Sequence, residues 1–282
     1  MTIVVTAASG QLGRLVVEKL LERGVAPGDV LATARDTAKL QVLADRGVRT
    51  ARLDYDDVDA SVLSAGDVLL LVSSSAVGQR ARQHGNVVEA AKAAGVARIV
   101  YTSVTNVDSP TLVVAPEHKV TEELIEASGL PWTFLRNGWY TENYLPAFGQ
   151  AAERGQVAAA AGDGRVSSVE RAELAEAAAV VLSSEGHDGA AYELVGQEAW
   201  THAELAAVFA DVLGREVAYA ALPADTYREV LLGAGLDEGT AGFLVAADQN
   251  ILDGELARTG DDLATLLGRA PRTIAQTVPT WA

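Results

Sequence analysis

The chain has 282 residues, 49% hydrophobic and 21% charged, enough apolar material for a sizeable core and too much for a disordered polymer. Its 38 acidic and 22 basic side chains leave a formal net charge of -16, a surface that repels phosphate backbones and anionic lipid and so excludes non-specific nucleic-acid and membrane-surface binding. Cysteine is absent, which removes disulfides, thiolate catalysis and Cys-ligated metals, and the four histidines (His84, His118, His187 and His202) lack metal-ligand spacing. The segment Met1–Thr6 carries no basic leader, and no apolar run, the Ala-rich Val157–Ala161 included, is long enough to cross a bilayer. These features predict a soluble, cytoplasmic protein.

In chain order, Ile3–Val5 reads as a buried strand. Leu12, Val16, Val17, Leu20 and Leu21 then recur at helical spacing, with Gly24 placed to end the helix. Strands are predicted at Val30–Ala34 and Arg49–Leu53, around a short helix Thr37–Arg46 closed by Gly47. Val68–Val72 is apolar at every position, as in a sheet covered on both faces. Asn86–Ala94 is a predicted helix ended by Gly95, Arg98–Thr102 a strand, and Glu117–Ser128 a helix before Gly129 and Pro131. Thr133–Leu135 follows as a sixth strand. The strand–helix alternation implies an α/β fold, a Rossmann-like doubly wound parallel sheet.

Beyond residue 137 the rhythm changes. Arg171–Leu182 and Tyr192–Val195 read as one more helix and strand of the sheet. Thr201-His-Ala-Glu204 is a capping box for a helix to Leu213, and Glu216–Leu222 is strand-like. Helices are predicted near Thr226–Gly233, Thr240–Asn250 and Asp261–Leu267. The expected division is a nucleotide-binding domain over 1–136, with 155–195 returning to it. A smaller, mostly helical lobe would comprise 137–154 and 196–282. The aromatics Trp200, Phe209, Tyr219, Tyr227 and Phe243 are assigned to that lobe's core.

Ligands of an open parallel sheet bind beyond the carboxyl ends of its strands. After the first strand comes Thr6-Ala-Ala-Ser9-Gly10-Gln11-Leu12-Gly13. Gly10 and Gly13 have the spacing of the last two glycines of a dinucleotide loop, one for close approach of a pyrophosphate and one for close helix packing. Ala7 stands at the first glycine position, at a cost of about 1–2 kcal/mol if the turn is left-handed there. Arg35 follows the second strand, where a basic residue suits a 2′-phosphate and an acidic one would suit a free ribose; Lys39 lies one turn on. A solvated strand-end arginine is the plain alternative. Asp54 follows the third strand as an adenine contact or an exposed loop acid. The other strands are followed by Ser73-Ser74-Ser75, Thr102-Ser103 and Arg136-Asn137-Gly138-Trp139-Tyr140.

With Val72–Arg80, Val100–Ser103, Leu135–Tyr140, Glu142-Asn143 and Gly162-Asp-Gly164 leading to Arg171, these segments resemble NmrA-like atypical short-chain dehydrogenases from end to end. Among these the chain is most similar to the NAD(P)H:quinone oxidoreductase type 2 group, then to triphenylmethane-dye reductases. The resemblance implies NADPH as cofactor and a substrate cleft between two lobes. It adds Asn143 and Arg171 to the cofactor contacts; Glu173 stands where the family often has Asp. Short-chain dehydrogenases generally use Tyr-x-x-x-Lys for proton transfer, and here the register falls on Val114–His118, with neither residue in place. His118 stands at the lysine position, as a ribose contact, a proton source or a bystander. Trp139 and Tyr140, with Tyr144 and Phe148, would form a flat apolar wall for an acceptor ring, or a staple between lobes. Hydride transfer to a quinone without flavin is the expected chemistry; a non-catalytic NADP(H) sensor is the alternative, and a sugar-nucleotide epimerase fares worst.

Overall fold

A computed structural model describes all residues, Met1–Ala282. Its centre is a seven-stranded, all-parallel sheet. The first six strands are β1 (Ile3–Val5), β2 (Val30–Ala34), β3 (Arg49–Arg52), β4 (Val68–Leu71), β5 (Arg98–Val104) and β6 (Trp132–Asn137). Ala190–Leu194 completes the sheet beside β6, and the order runs Ala190–Leu194, β6, β5, β4, β1, β2, β3. The order reverses between β4 and β1, so their crevice is the switch point at which such sheets take ligands.

The strands are apolar at successive positions because both faces are covered. Ile3, Val5, Val68, Leu70 and Val100 belong to one core, with helix α1 (Gln11–Glu22) and the later helix Arg171–Ser183. Val4, Leu69, Leu71, Ile99 and Tyr101 point the opposite way, into a second core. Helices α2 (Gln41–Ala44), α3 (Arg80–Ala94) and α4 (Ala115–Ser128) complete the first half, and α3 and α4 supply Val87, Val88 and Ile125 to that second core. Three sequence expectations need correction. The helix expected at Thr37–Arg46 is a 3-10 turn, Thr37–Leu40, followed by the single α-turn of α2. Helix α3 starts at Arg80, six residues before Asn86, because its polar first turns bury Gln83 and His84. Thr133–Leu135 extends in both directions into β6.

After β6 come Trp139–Tyr140, helix α5 (Leu145–Arg154), strand Gln156–Ala159, helix α6 (Arg171–Ser183), helix α7 (His202–Leu213) and strand Ala218–Ala221. They are followed by helices α8 (Ala224–Gly233) and α9 (Glu238–Leu252). The Thr201/Glu204 capping box is formed. Strand Gln156–Ala159 pairs in parallel with Ala218–Ala221, and Val157, Ala161 and Val166 pack with the later segment, so the first part of 155–195 departs from its expected return to the nucleotide-binding domain and joins the smaller lobe. A third core there holds Tyr144, Phe148, Trp200, Phe209 and Ile251, with Trp139 and Tyr219 packed against it. Gly164 fits against the end of α9 so closely that a Cβ would lie 2.4 Å from the Ile251 carbonyl oxygen. No helix is long and apolar enough to cross a membrane.

Candidate functional site

A cleft of about 630 Å³ opens along the carboxyl ends of β1, β2, β4, β5 and β6. The turn after β1 forms its floor. Ala7 is left-handed, with φ at +48°, so the loop carries the strain anticipated for a non-glycine residue there. The Gly10 N–H donates to the Ala7 carbonyl (2.9 Å) and the Ala8 N–H to the Thr33 carbonyl (2.8 Å), tying the turn to itself and to β2. A Cβ on Gly13 would lie 2.6 Å from the Ala7 carbonyl oxygen, so glycine lets α1 dock against the loop. Gly10 is the N-cap of α1; no side chain caps the helix and no acid lies in its first turn. Its free N–H groups and partial positive charge therefore face the cleft without a protein anion.

Ser9, Gly10, Gln11, Leu12, Gly13, Arg35, Ser73, Ser74, Ser75, Thr102, Ser103, His118, Asn137, Trp139, Tyr140, Asn143 and Arg171 all line this one cleft. Asp54 lines it beside Arg35, whereas Lys39 does not. Thr6 is fully buried and outside the lining. Its hydroxyl donates to the Leu70 carbonyl (2.9 Å) and accepts from the Val72 N–H (2.9 Å), joining β1 to the end of β4. Tyr144 and Phe148 also lie elsewhere, in the smaller lobe's core, so they do not extend the aromatic wall. Leu112, Val113, Phe243, Ala247 and Leu256 extend it instead; Phe243, expected in the core, is a cleft residue. Trp139 packs on the smaller lobe's core and Tyr140 on that of the sheet.

The loop after β4 is held rigidly. The Ser73 N–H donates to the Thr102 hydroxyl (2.8 Å) and the Ser74 N–H to His84 Nε2 (3.0 Å). Glu117, in the first turn of α4, accepts the N–H groups of Gly78 and Arg80 (3.0 and 3.1 Å). Arg80 reaches back, its Nε donating to the Ser74 carbonyl (2.7 Å). Opposite, Asn250 of α9 accepts from the Val113 N–H (3.0 Å) and donates to the Thr111 carbonyl (2.8 Å), fixing the segment that carries Leu112 and Val113. The sequence reading assigned no role to Arg80, Gln83 or Asn250. Asn250 follows Asp248 and Gln249 in α9, so nothing in the sequence sets it apart from an exposed polar stretch.

His118 is buried. Its Nδ1 lies 2.8 Å from the Tyr101 hydroxyl and its Nε2 3.5 Å from Arg80 Nη1. Arginine can only donate, so Nε2 is the acceptor and Nδ1 carries the proton, toward Tyr101. Burial, then the Arg80 charge, then His84 push the imidazole down to about 3. At neutral pH it has no imidazolium proton to supply. Tyr140 is shifted upward by burial, against the opposing effects of Asn137 and of the Arg171 guanidinium, which sits 4.6 Å from the ring centroid. Glu173, the family deviation, lies away from the cleft, accepting the Arg272 N–H and pairing with Arg269.

Four buried polar atoms in the lining have no protein partner: Ser73 Oγ, Ser103 Oγ, Asn137 Oδ1 and Trp139 Nε1. Such atoms are costly unless a ligand satisfies them. A long polar ligand with an anionic middle fits this set. Its anion would meet the uncapped start of α1, and its two ends the β2–β3 and β5–β6 sides. A parallel sheet with that cleft at its switch point defines a dinucleotide-binding protein of the Rossmann class. More narrowly, the chain belongs to the NmrA-like family, whose profile matches residues 1–263. It is 43% identical over 278 residues to quinone oxidoreductase 2 of Escherichia coli K12, covering 98% of this chain and 97% of that one. The crystal structure of the E. coli NADPH-dependent quinone oxidoreductase complexed with NADPH matches with a TM-score of 0.95 at 42% identity, over 99% of each chain. The Citrobacter sp. triphenylmethane reductase complexed with NADP(H) matches with a TM-score of 0.95 at 35% identity, over 100% of each chain.

Proposed function

We propose that this chain is an NADPH-dependent reductase of quinones that works without flavin. The observation that carries the reading is the gathering of the expected cofactor residues along one cleft, in a chain 42% identical to a quinone oxidoreductase crystallised with NADPH. NADPH, when bound, supplies the two electrons and the hydrogen. The chain supplies binding and orientation. Gly10–Gly13 and the start of α1 receive the pyrophosphate, and Arg35 receives the 2′-phosphate. Ser73, Ser103 and Asn137 offer their orphaned atoms to the ribose and nicotinamide side. Trp139, Tyr140, Phe243 and Leu256 exclude water and give a planar acceptor an apolar face, a proximity effect. Quinones suit such a site because their reduced oxyanions are delocalised and need no tuned proton donor. Neutral His118 acts by position.

The first test follows reduced-nicotinamide absorbance with a series of benzoquinones and naphthoquinones, NADPH and NADH in parallel. The expected result is turnover with NADPH and weaker turnover with NADH. Tight NADPH binding with no turnover across the series would replace the enzyme by a sensor.

Two substitutions check the parts. Arg35→Ala removes a charge-assisted contact of about 1.5–3 kcal/mol and should raise the Kd for NADPH roughly 10- to 100-fold while leaving NADH within twofold. Fluorescence titration reads both, and equal losses would remove the 2′-phosphate assignment. Tyr140→Ala should keep NADPH affinity and lower quinone kcat/KM about tenfold, the scale of one lost aromatic contact. Unchanged turnover would remove Tyr140 from the acceptor site.

A further inference from the structure

Three arginines line the cleft, Arg35, Arg80 and Arg171, and none has a carboxylate in ion-pair contact with its guanidinium. In the same chain Arg136 pairs with Glu122 and Glu193, and Arg269 with Glu173 and Glu176. Arg35 stands at the end of β2, on the adenosine side. Arg171 is spread over the Tyr140 ring. Arg80 is half-buried at the start of α3, after the loop that follows β4 and beside His118, on the side of the switch point where the nicotinamide half of a dinucleotide belongs.

The way Arg80 is held matters. Its Nε is anchored by a neutral carbonyl, Ser74 (2.7 Å), and its Nη1 faces a neutral imidazole nitrogen, His118 Nε2 (3.5 Å). The nearby Glu117 carboxylate binds the backbone N–H groups of Gly78 and Arg80 and leaves the guanidinium alone. Every anchor therefore orients the cation without cancelling its charge. The Asp54 carboxylate, the one acid in the lining, lies at the other end, after β3. A fixed, uncompensated cation in a partly desolvated site is the arrangement that stabilises charge developing during a reaction.

We propose that Arg80 is a catalytic residue whose guanidinium faces the acceptor oxygen on which negative charge gathers. The proposal rests on the quinone-reductase reading. In that reaction the C4–H bond of the dihydronicotinamide breaks with its electron pair. The cofactor is oxidised by two electrons, and the quinone, having gained a hydride, becomes a hydroquinone monoanion. A proton from water completes the hydroquinone. Arg80 gives up no proton, since a guanidinium stays charged at any working pH; it holds the oxyanion until water protonates it. His118 is then a positioning residue for Arg80.

The test uses the wild-type protein, Arg80→Met and Arg80→Lys, each with NADP⁺ bound. 4-Nitrophenol is the probe, because it mimics a hydroquinone ring and its ionisation is visible. Wild type should bind the phenolate at least tenfold more tightly than the phenol, seen as a lowered apparent pKa of the bound dye. Arg80→Met should abolish that preference, and Arg80→Lys should keep part of it. In turnover, Arg80→Met should lose about 100-fold in kcat/KM at an NADPH Kd within threefold of wild type. The loss should grow with the pKa of the hydroquinone formed. An Arg80→Met protein that binds NADPH and titrates bound nitrophenol as wild type does would overturn the assignment. Failure of wild type with every quinone would strike the quinone-reductase reading alone, since the dye titration decides the Arg80 assignment by itself.

Discussion

Gly13→Ala is expected to weaken NADPH binding by on the order of 100-fold, through displacement of α1 from the anion it should meet. The added Cβ would sit 2.6 Å from the Ala7 carbonyl oxygen and 3.0 Å from both the Ala7 carbonyl carbon and the Ala8 Cα. All three are backbone atoms, and none can swing aside. The Ala7 carbonyl already accepts the Gly10 N–H, and Ala8 is bound to Thr33, so the loop cannot retreat without losing both bonds. The start of α1 must move away instead. Overpacking of this kind costs about 1–3 kcal/mol, offset by up to about 1 kcal/mol from alanine's better helix propensity. The melting temperature should therefore fall by only a few degrees while affinity collapses. Gly10→Ala is the matched control. Its Cβ would meet a single atom, the Ala7 oxygen, at 3.2 Å, so the fold should be nearly unchanged. It would still narrow the approach of a pyrophosphate, so binding should weaken by less than at Gly13. Thermal melts and NADPH fluorescence on the pair decide the matter. Wild-type affinity in Gly13→Ala would mean that the α1 terminus does not hold the cofactor.

The sequence exposed the sheet more readily than the cleft's depth. Val30–Ala34 is bounded by the charged Asp29 and Arg35 and holds only small or apolar residues and the β-branched Thr33, so both of its ends are as read. The phosphate loop was legible because a short strand, two spaced glycines and an apolar helix stand in immediate succession. Helix α3 was read late because Arg80, Arg82, Gln83 and His84 look like a polar loop; partners far along the chain bury Gln83 and His84, Ser74 after β4, Asp56 after β3 and Thr121 of α4 among them. Gln156–Ala159 has no strand signal of its own, and its partner, Ala218–Ala221, lies far along the chain. Side-chain direction past a strand end follows no period. Thr6 points inward to bind β4, while Ser9, only three residues on, faces the cleft. Phe243 and Phe148 are both helical aromatics of the smaller lobe, and only the packing of α9 against the loop carrying Val113 places one in the cleft and the other in the core.

Acid should unfold this protein early, with a slope set by histidines. His84, His118 and His202 are all buried, and burial pushes them down to about 3, 3 and 4. In the unfolded chain each titrates near 6.5. Below that value the unfolded state binds three protons that the folded state refuses, so stability falls as pH falls. Asp248 works in the opposite direction. It is buried with the Ala160 N–H on its carboxylate, and desolvation raises it to about 6. Between about 6 and 4 the folded state binds its proton first, which favours folding as pH falls. For these four groups the net difference is about two protons, or roughly 3 kcal/mol per pH unit in that window. From pH 7 to pH 5 the loss comes to roughly 4 kcal/mol, a large share of an ordinary domain's stability. Denaturant titrations at pH 7, 6 and 5 measure it directly. Two variants separate the contributions. His202 lies between Tyr144 and Tyr219, with ring centroids 5.6 Å from each, and its Nδ1 has no partner, so His202→Phe should keep the packing and reduce the slope by about one proton. Asp248→Asn should steepen it by about one. Stability that stays level from pH 7 to pH 5 would mean that the three imidazoles accept protons inside the fold, and that His118 can carry a charge beside Arg80 after all.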